Sequence, residues 1–568
     1  MPTPKDLKTK DLTTKDRKTK VTGLRYWMVR VLEECDQVSA DFAADPVHDL
    51  RVALRRCRSM ADGMMAMDPD PAWKAMKKAG KRLFQRLGAL RDVQVMMEWI
   101  EKLETRKTSA GAGDSPALPP ETNPTNSNTA GAKSPAAKPS DPAGQALLQI
   151  LGQRESQQKQ EARAALSEFD RRQWRQWCHS LPLRTARVRP GSAVFKHLAL
   201  ERWTAARQLH TRALRNRSQV AFHTLRIGIK RFRYIVENFL PDEHKAWSND
   251  LKQLQDLLGD VHDLDVLWAT ALSHRVFPDE SSRESWHRRI GEERTKRIEK
   301  YRLRMVGPDS LWNVWRAGLP QPQQIQEIAT RRMKLWAKVL DPDFPHSERI
   351  ARMAVALYDG LEAAGLLKTK QRVPPPNRDS ARACLYLAAL LHDVGKAKGD
   401  KGHHKESLEM IKAHGAPLGW NAEDMARAAI VARFHCGALP TRGHKALREL
   451  SREEQNITVQ LAAILRLANA LDAAHDGHIR RLRIENANLQ PNHHRRPSDG
   501  LLRKALKLAP NEALIIAAEG FMADSSTAQA AAAERYLLET VLDRPVVIKA
   551  MKTPVPQRLT NRPRRAAS

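Results

Sequence analysis

Two sets of residues in this chain have the types and spacing to do chemistry. One is a series of histidines, acids and amides in the second half. It comprises His346 in PHSERIARMAVALYDGL, His392 and Asp393 in LHDVGK, His403 and His404 in GHHKES, His435 in ARFHCGALP, and Asn469 and Asp472 in LRLANALDAAHDG. Neutral imidazoles and carboxylates suit Zn, Mn, Fe or Mg, and several helices of a bundle can aim them at one centre. The dipeptide His-Asp also occurs at His48, His262 and His475, so it signifies little alone. Only His392-Asp393 follows a long apolar helix, ACLYLAALL, and runs into VGK.

The other set is cationic and repeated. VHDLRVALRRCRS, from Val47 to Ser59, returns as FHTLRIGIKRFRY, from Phe222 to Tyr234, a shift of 175 residues. His48, Arg51, Arg55 and Arg58 become His223, Arg226, Lys230 and Arg233. On a helix these four positions fall within an arc of about 80°, so one face carries a histidine and three cations. Leu50, Leu54, Cys57 and Met64, matched by Leu225, Ile229, Phe232 and Phe239, form an apolar stripe beside it. A second echo, RLGALRDVQVM against LLGDVHDLDVL, follows at a shift of 171 and places His262 opposite Arg91. Like charges on adjacent turns repel by a few tenths of a kcal/mol per pair unless an anion offsets them. The duplicated pattern therefore predicts an anion site. Arginine can bind phosphate bidentately, and histidine adds a pH-sensitive charge.

The elements that must position these groups are overwhelmingly helical. Apolar residues recur at three and four from Leu24 to Ala317, and again from Ile325 to Leu471. Alternation appears only in IRRLRIEN, LKLAPNEALIIAAEG and PVVIKA, which predict a few strands around the helix TAQAAAAERYLLETVL. Residues 1–20 and 552–568 read as disordered basic arms, and the Ala-, Pro- and Ser-rich stretch at about 105–144 reads as a flexible linker. A seam at GLPQPQQ divides a helical block, 21–315, from a second block, 325–551. The expected class is mainly α, with a two-half helical bundle followed by an all-α domain bearing a small α+β tail.

Composition bounds the partners. The 568 residues carry 96 Lys and Arg against 65 Asp and Glu, a net charge of +31 that attracts polyanions. Aromatic residues are only 5%, and the basic faces lack interleaved stacking rings, so nucleic acid is disfavoured against a base-free phosphate chain. Five scattered cysteines without CxxC spacing indicate neither a disulfide framework nor a zinc ribbon. With no signal-peptide core and no run of 18 apolar residues, the expectation is a cytoplasmic protein without membrane attachment.

The repeated basic helices resemble the conserved histidine α-helical domain, CHAD, over about 21–315. The resemblance implies a helical bundle that binds inorganic polyphosphate in a basic channel, with association to polyphosphate granules a further implication. The implied contacts are His48, Arg51, Arg55, Arg58, His223, Arg226, Lys230 and Arg233, with Arg82 and Arg91 as additions. The histidine series resembles HD-domain phosphohydrolases, and more narrowly the carboxyl-terminal region of the exopolyphosphatase/guanosine pentaphosphatase family, over about 340–550. This implies a divalent metal held by His346, His392 and Asp393, with His404 and His435 available for a second. His404 is favoured over His403 because HxxS follows it. Asp393 would also orient the attacking water, and Lys396 or Arg349 would neutralise a phosphoryl oxygen. Where that family has its last metal-binding Asp, this chain has Asn469, and Asp472 lies one turn on. In that family the chemistry is performed by a separate amino-terminal domain with an actin-like ATPase fold, which has no counterpart here. Three functions stay open: a metal-dependent polyphosphatase, a non-catalytic polyphosphate-binding module, and a guanosine alarmone hydrolase.

Overall fold

The computed structural model describes residues 23–39, 42–109, 141–367, 378–485 and 513–551. The two basic arms and most of the linker expected from sequence lie outside these residues. The chain divides into two units, 1–324 and 325–568. It is mainly α, and the described strands form one small sheet near the carboxyl end.

The first unit contains α1 (Leu24–Val38), α2 (Ala44–Met64), α3 (Pro71–Ala79), α4 (Lys81–Ser109), α5 (Pro142–Ser167), α6 (Arg171–Thr185), α7 (Ala193–Asn216), α8 (Gln219–Phe239), α9 (Pro241–Ser273), α10 (Glu280–Met305) and α11 (Leu311–Ala317). The repeated basic segments are α2 and α8, and the second echo lies on α4 and α9. All eight stripe residues from Leu50 to Phe239 are buried, at 0–1% exposure. Burying each large apolar side chain contributes roughly 1.5–3 kcal/mol, which is what orients the cationic face of each helix away from the core.

The two repeats pack directly on each other. A Cβ added at Gly63 of α2 would come within 2.3 Å of the Phe239 ring of α8, so only glycine permits this approach. Beside it, Asn238 Nδ2 donates to Ser59 Oγ at 2.8 Å, and Arg56 pairs with Glu237 and donates to Asn238 Oδ1 at 3.2 Å. A second core joins α4, α5, α9 and α10 through Trp99, Ile100, Leu147, Leu151, Leu264, Leu267 and Trp286.

Helix reaches into both ends of the stretch read as linker. Its amino-terminal side continues α4 to Ser109, and its carboxyl-terminal side is the start of α5. Asp141 is buried because it caps α5 through Ala143 N at 3.1 Å and accepts from Trp286 Nε1 at 3.0 Å and Arg289 at 3.1 Å. These are long-range partners that local composition cannot reveal.

The second unit begins within α12 (Pro322–Leu340) and continues with α13 (Phe344–Ala363), α14 (Arg378–Leu391), a 3-10 turn (Val394–Lys398), α15 (His403–His414), α16 (Ala422–Arg433), α17 (Lys445–Arg448) and α18 (Arg452–Ala470). Strand β1 (Leu482–Glu485) pairs antiparallel with β2 (Leu514–Ala518), which pairs parallel with β3 (Val546–Ala550). The connection between β2 and β3 is α19 (Ser526–Leu542). Ile516, Ala518, Leu538 and Leu542 join one core with α13, α14, α16 and α18, so the strands belong to the same body as the helices.

Candidate functional site

The first site lies where the repeats meet. Arg55 and Lys230 occupy equivalent repeat positions, and they flank one ring, Tyr234, at 5.6 and 5.8 Å from its centre. Arg51 and Arg226, also equivalent, both act on the Asp92 carboxyl. Tyr234 OH and the Nε atoms of Arg51 and Arg55 are buried without a hydrogen-bond partner. A buried polar group left so costs about 1–3 kcal/mol, and an acceptor entering the patch would recover that cost for all three.

Electrostatics there favour an incoming anion. Burial, with Arg226, Arg55 and Arg51 nearby, pushes Lys230 down to about 8. Burial, then Arg226, His223 and Lys230, push His262 down to about 4, and its Nδ1 lies 3.2 Å from that of His223. His48 is lowered by burial and by Arg55 and Arg91. Two acids temper the charge. Burial raises Asp92 against the pull of Arg51 and Arg226, and burial pushes Asp263 up to about 6.

Not every predicted contact faces this patch unpaired. Arg82 is exposed and pairs with Glu168, Arg91 pairs with Glu98 at 3.0 Å, and Arg233 pairs with Glu237 at 3.6 Å. Arg58 donates to the carbonyl of Lys77 and lies over Phe84. Among the described residues Arg51, Arg55, Arg226 and Lys230 make no ion pair with a carboxylate, which leaves them as the available cations. Tyr234, Asp92 and Asp263 were not singled out from sequence. Only the convergence of the repeats gives them a role.

The second site is built around the α14 carboxyl end. Gly395 allows it: a Cβ there would lie 2.1 Å from the His403 carbonyl and 2.6 Å from Ser407 N. Ser407 Oγ accepts from Gly395 N at 2.9 Å and donates to the His392 carbonyl at 2.7 Å, fixing α15 against LHDVGK. This contact brings His403, rather than His404, to the centre. His403 Nε2 lies 3.3 Å from Asp393 Oδ1 and 3.1 Å from His435 Nε2. His404 instead approaches Gly437, and burial followed by Arg433 pushes it down to about 4. Of the two adjacent histidines, the structure thus brings His403 rather than His404 against Asp393 and His435.

The Nδ1 atoms of all four central histidines are committed. His392 donates to Ala389 O at 2.7 Å, His435 to Ala432 O at 2.7 Å, and His403 to Asp400 O at 2.8 Å. His346 donates to Asp472 Oδ2 at 2.6 Å. Carbonyls and carboxylates only accept, so each Nδ1 carries a proton, and Nε2 is the atom each ring has left for the cluster. His392 Nε2 lies 3.4 Å from Asp393 Oδ2. His392 Nε2 and Asp393 Oδ1 are buried with no hydrogen-bond partner. His346, His392 and Asp393 offer one set of mutually close ligand atoms, and His403, His435 and Cys436 offer another. These residues fit a cation well, because their lone pairs converge and a buried carboxylate lies between the two sets.

Burial alone would raise the Asp393 carboxyl, but His392, His403, His435 and Lys396 outweigh it and hold it well below the usual carboxylate range. The charge contact with the Asp393 carboxylate, then the contact with Cys436, push His403 up to about 10. A proton on His403 and a cation thus compete for one place. Burial pushes His392 and His435 down.

Three further candidates have partners within the protein. Asp472 does not face the centre as a ligand; it holds His346 Nδ1 and accepts from Arg349 Nε at 2.9 Å. Arg349 also donates to the His475 carbonyl at 2.9 Å, so its guanidinium is engaged in orienting the site. Lys396 Nζ lies 2.6 Å from Asp393 Oδ2 and neutralises that oxygen. Asn469 does face the centre, with Oδ1 3.1 Å from His346 Nε2. His403 and Cys436 complete the cluster. The GHHKES motif had signalled one of its histidines, and FHCG had offered only a lone cysteine.

The chain matches the CHAD domain family over residues 28–272 and Ppx/GppA phosphatase, domain III, over residues 328–507. No curated protein sequence matches it. Among solved structures it is similar to the crystal structure of the CHAD domain from the plant Ricinus communis. Identity is 20%, over 52% of this chain and 88% of that one, with a TM-score of 0.30, too low to support an inference. No helix among the described residues is long and apolar enough to cross a membrane. The chain joins a CHAD domain, which holds the paired basic helices, to a Ppx/GppA phosphatase domain III, which holds the histidine cluster.

Proposed function

We propose that this chain grips inorganic polyphosphate through the basic patch of its first unit and hydrolyses phosphoanhydride bonds at an HD-type centre in its second. The observation that supports the enzymatic half is the common commitment of Nδ1. In four imidazoles it is held by an oxygen acceptor, which leaves Nε2 for coordination, and three of those Nε2 atoms surround the Asp393 carboxylate. A divalent cation held by His346, His392 and Asp393, with Asn469 beside them, would polarise a phosphoryl oxygen and lower the pKa of a bound water. Asp472 fixes the orientation of His346, and Lys396 shields the outer carboxylate oxygen of Asp393. In the first unit Arg51, Arg55, Arg226 and Lys230 supply charge, and Tyr234 OH supplies a hydrogen bond.

A second reading, a holding module without turnover, has its own support. Asn469 brings no negative charge, and Arg349 is engaged by Asp472 rather than presented to a phosphoryl group.

The deciding experiment measures metal content of the purified protein and phosphate release from long-chain polyphosphate and guanosine polyphosphates. Turnover on polyphosphate that is abolished by His392→Ala/Asp393→Ala is expected. Bound cation without turnover selects the holding module, and release from nucleotides alone moves the substrate class. For the first unit, duplex DNA at equal phosphate concentration and matched salt should fail to displace polyphosphate.

A further inference from the structure

We propose that His403, His435 and Cys436, with Asp393 Oδ1, form a thiolate-bearing position that takes a thiophilic divalent cation of the zinc class. Its ligand chemistry differs from that of the nitrogen and oxygen position at His346, His392 and Asn469. The inference rests on the reading of the cluster as a cation centre and assigns one half of that centre its ligands and its ion.

The distances carry it. With metal–nitrogen bonds of about 2.05 Å and a metal–sulfur bond of about 2.3 Å, tetrahedral geometry sets ligand edges of about 3.3 Å between nitrogens and about 3.6 Å between nitrogen and sulfur. The nitrogens of His403 and His435 are 3.1 Å apart, and Cys436 Sγ is 3.9 Å from His403 Nε2. Asp393 Oδ1 stands 3.3 Å and 3.6 Å from the same two nitrogens. These four of the six edges fall within about 0.3 Å of those of a filled tetrahedral site. His435 is 3% exposed, and Asp393 Oδ1 is buried with no hydrogen bond, so a cation is the partner this corner is missing. Cys436 loses its thiol proton to water as the sulfur–metal bond forms.

Sulfur decides the ion. Thiolate and imidazole favour zinc and its analogues, whereas magnesium and calcium prefer oxygen. Cys436 is also the partly exposed cysteine of the five, since Cys35, Cys57, Cys178 and Cys384 are buried. A thiolate–metal signal therefore has one source.

The test is cobalt(II) titration of the metal-stripped full chain. Expected are two bound equivalents, one of which brings a near-ultraviolet thiolate-to-cobalt charge-transfer band. Cys436→Ser should bind one equivalent and show no band. Cys436→Asp should keep two equivalents, lose the band and shift preference from zinc toward manganese. Cobalt binding without the band in the wild type, or a band that survives in Cys436→Ser, overturns the proposal and leaves the first cation position standing. Absence of any bound cobalt overturns the cation centre and this inference together.

Discussion

The basic patch and the histidine cluster both gather groups that ought to repel, and they tolerate this in opposite ways. In the patch, the charge on Arg51, Arg55 and Arg226 is permanent, and it is moderated by two nearby acids, Asp92 and Asp263, and by partial deprotonation of Lys230. In the cluster, imidazoles lose charge through burial and are locked as lone-pair donors by carbonyls. In the function proposed above, the first arrangement would attract an anion of variable shape through field and hydrogen bonds, and the second would hold a cation in a fixed geometry. Substitutions in one site should therefore leave the other unchanged, and that separation can be tested.

The largest effect is expected from His392→Ala/Asp393→Ala. Cation affinity should fall by more than about 100-fold, because even outer partners of metal ligands are worth 10–100-fold. Polyphosphate affinity measured by titration should stay at the wild-type value. If it fell in parallel, the two sites would not be independent. Arg51→Glu/Arg226→Glu reverses the patch. Polyphosphate affinity should drop on the order of 100-fold at low salt, with a shallower salt dependence and unchanged metal content.

Asp472→Asn sharpens the cluster side. It removes the carboxylate that holds His346 Nδ1, so cation affinity should fall about 10–100-fold by isothermal titration while the fold is kept. The smallest effect is on pH. Burial places Lys230 near 8 in the free protein, so its charge is present below that pH and lost above it. Bound polyanion favours the charged form. Affinity should thus weaken by up to about tenfold between pH 7 and pH 9, and Lys230→Arg should abolish that decline.

What was legible in the sequence follows the same division. The helical class, the repeat shifts and the buried stripes were all readable, because periodicity and repetition are local patterns. The choice of ligand was not. Arg58 and Arg233 share the register of Arg55 and Lys230, yet Lys77 and Glu237 divert them. His403 and His404 are adjacent on one helix, and only the Ser407 contact with LHDVGK decides between them. Cys436 looked like an isolated thiol until the turn after α16 folded against α15. Each miss is a tertiary partner that lies far away in sequence.

Arg466 shows how far the second site extends. Its buried guanidinium donates to the carbonyls of Phe434 and Gly437, on either side of His435 and Cys436, and its charge is matched by Glu534 on α19 at 2.7 Å. A truncation before α19 would strip the counter-charge from a buried cation, a change that typically costs about 3–5 kcal/mol. The turn bearing His435 and Cys436 would loosen with it. The carboxyl-terminal βαβ element is therefore the outer wall of the histidine centre, and the smallest excisable piece that keeps the centre intact runs to the end of β3.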